Sequence, residues 1–203
     1  MISIYGSPRS SAGRCFWCLE EAGIEYTHKE INMREKEHKS EAFLKINPNG
    51  KIPALVDGDF TIWESMGINF YIAEAHKPEL LGSTAQIKGL VHQWSIWAIA
   101  DLQPPMIEIF IQKVFVPEDR RSQAVIDKAL AKLPALFATL ERTLGEQKFL
   151  AGDEFTLADL NTASVVAVAF QIGVSVDEYP AVKAWMNGMN DRGAYKRYME
   201  LCK

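Results

Sequence analysis

The sequence contains few cysteines and no long apolar run. Three cysteines among 203 residues are a small and odd number, which does not predict the disulfide framework of a small secreted protein. The most apolar stretch, residues 163–174, is interrupted by Gln171 and Gly173 and is shorter than the roughly 20 residues of a transmembrane helix. We therefore expect residues 163–174 to form a buried helix and the chain to lack a membrane span.

Charge of one sign is not concentrated in any segment. The chain has 22 Lys and Arg against 26 Asp and Glu, a formal net charge of −4, and no basic stripe that could follow a phosphate backbone. Residues 1–5 lack the basic start and apolar stretch of a secretory signal and are typical of a strand. These features predict a cytoplasmic protein that binds neither nucleic acid nor membranes.

The first 77 residues have the pattern of an α/β domain, in a chain whose hydrophobic fraction of 48% predicts a globular core. Short apolar runs predict strands at residues 2–5, 25–31, 52–56 and 60–63. Gly23 ends the first predicted helix, Asp57-Gly58-Asp59 is a hairpin signal, and Ser65 begins the last helix. The order βαβαββα predicts a mixed sheet with helices on its faces.

The remainder of the chain has helical periodicity only. Residues 78–85 contain proline, glycine and serine and predict a linker, after which residues 86–203 predict an all-helical domain. Apolar side chains recur there at three- and four-residue spacing, in one set of Leu90, Trp94 and Trp97 with Asp101, and in a second of Leu130, Leu133, Leu136, Phe137 and Leu140. Amphipathic helices of this kind pack as a bundle.

Residues 47–55 (NPNGKIPAL) place Pro53 where a strand would need a backbone donor. If the Ile52–Pro53 bond is cis, the N–H and C=O of Ile52 are free to pair with an extended, peptide-like ligand. If the bond is trans, Pro53 marks an ordinary strand start.

Glu64 and Ser65 stand where the fourth predicted strand gives way to a helix. The unpaired N–H groups at a helix start attract an anion, Ser65 can donate its hydroxyl to a carboxylate, and Glu64 can accept an ammonium group. The pair suits the free end of an amino acid, although a serine at this place can also be a plain helix cap.

The loop of residues 7–11 (SPRSS) brings two hydroxyls, Ser10 and Ser11, to the start of the first predicted helix. A hydroxyl that donates to a thiol beside the helix dipole favours the thiolate, which is a nucleophile near neutral pH. Either serine could instead cap the helix.

Cys15 and Cys18 form a Cys-x-x-Cys pair, which suggests a redox role. A redox dithiol opens its helix, where the dipole lowers the thiol pKa, whereas we expect these two at least a turn inside theirs. We interpret both as buried, because free cysteine packs as a small apolar residue. The four histidines are scattered and predict no metal site.

These segments resemble the glutathione-binding elements of the cytosolic glutathione transferases, over nearly the whole chain. Residues 5–8 and 18–26 resemble the family's first strand and helix, residues 47–55 its cis-proline segment, and residues 64–65 its γ-glutamyl clamp. Residues 155–159 (FTLAD) resemble the cap of its central buried helix, where a threonine is answered by an aspartate three residues on. The chain is identified as a serine-type bacterial member with a thioredoxin-like first domain.

The resemblance implies a site for glutathione. Ile52, next to Pro53, would pair with the cysteinyl backbone of glutathione, and Lys51 would meet the glycyl carboxylate. Glu64 and Ser65 would hold the γ-glutamyl end.

For activation of the thiol, the resemblance implies Ser10 with help from Ser11. Tyr5 is a third candidate, which packing alone could also explain. The loop is one residue shorter than in the serine-type classes, so the choice between the serines stays open. Residues 9–11 also resemble the start of the zeta class, whose members isomerise maleylacetoacetate, although the next two residues depart from that pattern.

The predicted activity is that of a glutathione transferase in detoxification, in which the glutathione thiolate attacks an electrophilic, apolar small molecule. Phe110 and Phe115 are predicted to line the site of that second substrate, with ordinary bundle packing as the alternative. Other functions on the same fold are a glutathione-dependent isomerase or reductase, and a non-catalytic binding module. The resemblance also implies a homodimer.

Overall fold

Four short strands form the sheet in the computed structural model, which describes all 203 residues. The strands are β1 (Ile2–Tyr5), β2 (Tyr26–Lys29), β3 (Ala54–Asp57) and β4 (Phe60–Trp63). Their order in the sheet is β2-β1-β3-β4, with β1 parallel to β2 and β3 antiparallel to both β1 and β4. The predicted mixed sheet is confirmed.

Three helices are interleaved with these strands, namely α1 (Gly13–Ala22), α2 (Glu41–Leu44) and α3 (Ser65–His76). Gly23 ends α1 with a left-handed φ of 68°, as its position in the sequence predicted. Gly58, with φ of 59°, forms the tight turn between β3 and β4 that the Asp-Gly pair predicted. The element order βαβαββα is therefore the observed one.

The chain divides into two compact units. The first contains Met1–Leu81 and Asp191–Lys203, and the second contains Gly82–Asn190. Helix α10 (Gly193–Glu200) packs on α1 within the first unit. The sequence offered no sign that this last segment leaves the helical half of the chain.

The predicted domain ranges, 1–77 and 86–203, remain a prediction of which segments fold independently. The segment between them is more ordered than a linker, because Pro78–Leu81 forms a short 3-10 turn in which both leucines are buried. Thr84 then caps the next helix by accepting a hydrogen bond from the Ile87 N–H at 3.2 Å.

The second unit is entirely helical. Its helices are α4 (Ala85–Trp97), α5 (Gln103–Phe110), α6 (Gln123–Leu130), α7 (Leu133–Glu146), α8 (Leu157–Gln171) and α9 (Pro180–Asp191). Two π-helical turns, Ala98–Leu102 and Ile111–Phe115, follow α4 and α5. The first of them ends just before Gln103-Pro104-Pro105, where two missing N–H donors interrupt the regular helical ladder.

The buried faces of these helices correct part of the periodicity argument. On α4 the buried side contains Val91, Trp94 and Ser95, whereas Leu90 and Asp101 of the predicted set are exposed. In the second set, Leu133, Phe137 and Leu140 are buried as predicted, whereas Leu136 is half-buried and Leu130 is exposed. A spacing of three and four residues fits two neighbouring helix faces, so it located the helices better than it located their core side.

Helix α8 is the buried centre of the second unit. Its capping box is present as predicted, with the Thr156 side chain on the helix N–H groups and the Asp159 carboxylate on the Thr156 N–H at 3.1 Å. Most side chains of α8 up to Ala169 are buried, and Phe170 lies half-exposed at its end. No helix in the structure has both the length and the apolar character that crossing a membrane requires.

Candidate active site

Three segments of the first unit meet beside the end of β1: the loop before α1, the segment before β3, and the start of α3. The Ser11 hydroxyl donates to the Ile52 carbonyl at 3.3 Å, which joins the first segment to the second. Arg14 Nη1 donates to Ser65 Oγ at 3.1 Å, which joins α1 to α3. Gly6, with φ of 139°, makes this approach possible, because a Cβ there would lie 2.9 Å from the Ala12 Cβ.

The two serines of the loop have different surroundings. Ser10 donates its hydroxyl to the Ser7 carbonyl at 2.6 Å and accepts from the Ala12 N–H at 3.1 Å, so both functions of the hydroxyl are used inside the loop. Ser11 is exposed, and its only hydrogen bond is the one to Ile52. Ser10 therefore builds the loop, and Ser11 presents its hydroxyl beside the backbone of Ile52.

Tyr5 is half-buried in β1, where it pairs with Lys29 on one side and Ala54 on the other. Its ring packs edge-on against the Phe43 ring, with centroids 6.1 Å apart. This contact is the packing role that was the alternative for Tyr5.

The Ile52–Pro53 peptide bond is cis, as the resemblance implied. Pro53 is buried and Ile52 is half-buried, directly before β3. Asn47, which is buried, holds this segment from behind by donating its side-chain amide to the Lys51 carbonyl at 2.6 Å. The same side chain accepts from the Asn49 N–H at 3.0 Å, so one buried amide shapes the loop that leads to Ile52.

Glu64 and Ser65 form the junction between β4 and α3. Glu64 has a φ of 70° and a ψ of 117°, which is rare for a residue other than glycine. Its side chain is exposed, whereas Ser65 is buried. Because Arg14 donates to Ser65 Oγ, the Ser65 O–H is left to donate elsewhere, and the first N–H groups of α3 lie beside it. The junction can therefore hold a carboxylate.

Arg14 and Lys39 contribute to this region and were missed in the sequence. Arg14 is buried, and burial lowers the pKa of its guanidinium below the usual value. Lys39 donates its ammonium to the carbonyls of Asn49 at 3.3 Å and Gly50 at 2.9 Å, so a second cation contacts the two residues that precede Lys51, which is exposed. No motif or spacing marks either residue, because each reaches its partners only through tertiary packing.

The position argument against a redox dithiol needs a correction. Helix α1 begins at Gly13, so Cys15 lies in its first turn and not a turn inside. The conclusion still holds for another reason, because both cysteines are fully buried. Burial raises the pKa of Cys15 to about 12 and that of Cys18 well above its usual value, which opposes thiolate formation.

Phe110 and Phe115 belong to the second unit. Their rings pack edge to face, with centroids 5.7 Å apart. Phe110 is half-buried, whereas 72% of Phe115 is exposed. An aromatic side chain that is so exposed does not contribute to the core, and it can contact an apolar small molecule.

The comparisons with known proteins match both halves of the chain. The sequence profile described as "Glutathione S-transferase, N-terminal domain" matches residues 2–74, and that described as "Glutathione S-transferase, C-terminal domain" matches residues 102–192. Glutathione S-transferase 1 of Zea mays is 36% identical, over 100% of this chain and 97% of the relative.

Solved structures with the same fold cover both chains almost completely. Glutathione S-transferase I from mais, in complex with an atrazine glutathione conjugate, has a TM-score of 0.91 and 35% identity, over 98% of this chain and 97% of the other. A theta class glutathione S-transferase from Xanthomonas axonopodis pv. citri, with glutathione bound, has a TM-score of 0.90 and 31% identity, over 97% and 95%.

The sequence relatives are plant proteins, from Zea mays, Arabidopsis thaliana and Oryza sativa subsp. japonica. The expectation of a bacterial subgroup has no support among them.

Proposed function

Because the chain belongs to the glutathione S-transferase family, we propose that Ser11 rather than Ser10 activates the glutathione thiol. The protein is a glutathione transferase: it joins the sulfur of glutathione to an electrophilic carbon. The observation that carries the choice of serine is the position of the Ser11 hydroxyl, which is exposed and 3.3 Å from the Ile52 carbonyl. The Ser10 hydroxyl already donates to the Ser7 carbonyl and accepts from the Ala12 N–H. The protein is thus proposed to be of the serine type.

The site would bind glutathione in an extended form along the first unit. The N–H and C=O of Ile52, before Pro53, would pair with the cysteinyl residue as a short added strand. Glu64 would accept the γ-glutamyl ammonium, while Ser65 and the start of α3 would donate to the γ-glutamyl carboxylate. The ammonium groups of Lys39 and Lys51, near residues 49–51, would bind the glycyl carboxylate at the other end of glutathione.

Binding of the peptide would release Ser11 for its chemical role. A cysteinyl N–H that donates to the Ile52 carbonyl would take the place of the Ser11 hydroxyl on that acceptor. Ser11 could then donate to the sulfur, and the N-terminal end of α1 would favour the same negative charge. The thiol loses its proton to solvent, and a sulfur lone pair forms the new C–S bond as the leaving group departs with its electron pair.

Phe110 and Phe115 are proposed to contact the second substrate. Their support is the exposed ring of Phe115 and the relative whose complex contains a glutathione conjugate of atrazine. The substrate class would then be electrophilic, apolar small molecules, which fits a detoxification role. We also propose that the protein is cytoplasmic.

The reductase alternative loses its support, because Cys15 and Cys18 are buried and their thiol pKa values are raised. An isomerase and a non-catalytic binding module are the other functions considered for this fold. Turnover of a model electrophile separates the transferase from the binding module, which would bind glutathione without conjugating it.

The assignment of Ser11 is tested by ultraviolet titration of the thiolate of bound glutathione. Ser11→Ala should raise the pKa of the bound thiol by about 1 to 2 units, because a charge-assisted hydrogen bond contributes roughly 1.5 to 3 kcal/mol. Ser10→Ala should raise this pKa by less than Ser11→Ala does, because Ser10 acts only through the shape of the loop, and Tyr5→Phe serves as a control for a ring that packs in the sheet. A rise with Ser10→Ala alone would move the role to Ser10, and no binding of glutathione to the wild type would overturn the function.

A further inference from the structure

Pro8 and Arg9, in the loop that contains Ser10 and Ser11, are both hydrogen-bonded to the C-terminal segment of the chain. Arg9 donates from Nε to the Cys202 carbonyl at 2.6 Å and from Nη2 to the Lys203 carbonyl at 2.9 Å. In the opposite direction, the Tyr198 hydroxyl donates to the Pro8 carbonyl at 3.1 Å. The loop is therefore held at two adjacent residues, because Arg9 donates hydrogen bonds and Pro8 accepts one.

The packing at this contact is close. A Cβ added to Gly13 would lie 2.5 Å from the Pro8 carbonyl oxygen and 2.5 Å from the Tyr198 hydroxyl. Only a glycine at this first position of α1 lets the tyrosine reach the loop. The contact is thus built into the start of the helix whose dipole faces the site.

Helix α10 is itself firmly seated on α1. Arg197 donates to the Glu20 carboxylate at 2.7 Å, and Arg192 forms a two-pronged ion pair with Glu21, which is largely buried. The Tyr195 ring packs edge-on against the ring of Trp17, with centroids 4.9 Å apart. The C-terminal half of α1 therefore holds α10 in place. Tyr198 of α10 and the residues after it in turn hold the loop.

We infer that Arg9 and Tyr198 are positioning residues for the reaction, which hold the loop so that the Ser11 hydroxyl faces the thiol. The inference rests on the role of Ser11 proposed above. A catalytic hydroxyl has to lie within about 0.5 Å of its productive position. The bonds inside the loop, made by Ser10, fix its shape but not its place relative to Ile52. The bonds to Tyr198 of α10 and to Cys202 and Lys203 after it supply that second constraint.

The test compares Tyr198→Phe and Arg9→Gln with two control variants on α10. Tyr195→Phe removes a hydroxyl from a ring whose contact with Trp17 is aromatic, and Lys196→Gln removes a cation that pairs with Asp191. The measurement is the thiolate fraction of bound glutathione at a fixed pH below the thiol pKa, together with kcat and KM for glutathione and the Tm.

Tyr198→Phe and Arg9→Gln should each lower the thiolate fraction and kcat by about two- to tenfold, the range of one ordinary hydrogen bond. KM for glutathione should change by less than about twofold, because neither residue meets the peptide. The two controls should match the wild type. In the Ser11→Ala background, Tyr198→Phe should have no further effect on the thiolate fraction, since its action runs through Ser11.

A lower Tm with an unchanged thiolate fraction in Tyr198→Phe and Arg9→Gln would overturn the inference and leave a purely structural contact. An undiminished effect of Tyr198→Phe in the Ser11→Ala background would also overturn it, while leaving the role of Ser11 intact. If Ser11→Ala alone does not change the thiolate fraction, the proposed role of Ser11 fails, and the inference fails with it.

Discussion

The backbone of Glu64 turns the chain from β4 into α3 within one residue. Its left-handed φ of 70° costs on the order of 1 to 3 kcal/mol in a residue with a side chain. The turn places Ser65 at the first position of α3, where its buried hydroxyl accepts from Arg14. The strained backbone of Glu64 therefore leads directly into the Ser65 hydroxyl and the first N–H groups of α3, which can bind a carboxylate.

Ser65→Ala should weaken the binding of glutathione and leave the chemical step nearly unchanged. Ser65 would contact a carboxylate that carries the same charge before and during the reaction, so its loss removes uniform binding. We expect KM for glutathione to rise about tenfold, for a hydrogen bond of roughly 1.5 kcal/mol to a charged group, with kcat within about twofold. Thr61→Ala, on the exposed face of β4, is the control. Steady-state kinetics that showed a lower kcat at constant KM would contradict this role.

The three thiols should differ sharply in reactivity. Cys15 and Cys18 are fully buried, and burial raises the pKa of Cys15 to about 12, so both stay protonated and shielded at neutral pH. Cys202 is only half-buried. A disulfide reagent such as Ellman's should therefore titrate one thiol in the native protein and three after denaturation, and Cys202→Ser should abolish the native reaction. Rapid reaction of a second thiol in the native state would reopen the reductase alternative.

Among the helices, α8 depends on one buried carboxylate at its start. Asp159 accepts from the Leu150 N–H at 2.9 Å, the Thr156 N–H at 3.1 Å and the Trp185 Nε1–H at 3.0 Å. Burial is the largest influence on this group and raises its pKa to about 6, against which these donors act. The cap of the central helix therefore carries a titratable group.

Asp159 should make stability depend on pH. Its pKa in the folded protein, about 6, lies above the ordinary value of 3.8, so the folded state holds the proton more tightly. The contribution of this tighter proton binding to the free energy of unfolding is fully present below pH 3.8 and is lost as the pH rises through about 6. Relative to Asp159→Asn, which does not titrate, the wild type should lose roughly 2 kcal/mol of unfolding free energy between pH 4 and pH 7.

Denaturant unfolding at pH 4 and pH 7 measures this difference. Asp153→Asn, an exposed carboxylate in the preceding loop, is the matched control and should follow the wild type at both pH values. A gap between wild type and Asp159→Asn that is the same at both pH values would show that the carboxyl does not titrate in this window.

The π-helical turn Ile111–Phe115 is another element with a defined support. Lys113 donates to the Ile172 carbonyl at 2.5 Å, at the end of α8, and Arg121 donates to the carbonyl of Lys113 at 2.8 Å. Arg121 also donates to the Val116 carbonyl at 3.2 Å. These bonds support the backbone that carries the exposed ring of Phe115.

The whole molecule is expected to assemble as a homodimer, as the family resemblance implies. Exposed aromatic side chains on β4 support this expectation, since Phe60 is 47% and Trp63 39% exposed. Analytical ultracentrifugation at micromolar concentration should give a species of about twice the chain mass of 22.8 kDa. Phe60→Ser should shift the equilibrium towards the monomer if this surface forms the contact, whereas Leu44→Ser, at another exposed apolar position of the first unit, should not. A wild type that sediments as a single chain would refute the dimer.

The sequence by itself determined the fold class, the hairpin, the caps at Gly23 and Thr156, and the segments of the candidate site. Each of these depends on residues that are close in the chain: the turn at Gly58, the Thr156–Asp159 box, and the motif around Pro53. Hydrogen bonds over a few residues form in the same way wherever the segment lies, so their pattern can be read directly.

Only the tertiary structure shows which residues from distant parts of the chain meet at the candidate site. Ser11 faces Ile52, 41 positions away, and Arg14 supports Ser65, 51 positions away. Arg9 meets the Cys202 carbonyl across 193 positions. Such partners leave no periodicity or spacing in the sequence, because the packing of α1, α3 and α10 brings them together. For the same reason the proposal of Ser11 over Ser10 rests on their hydrogen-bond partners and not on the sequence.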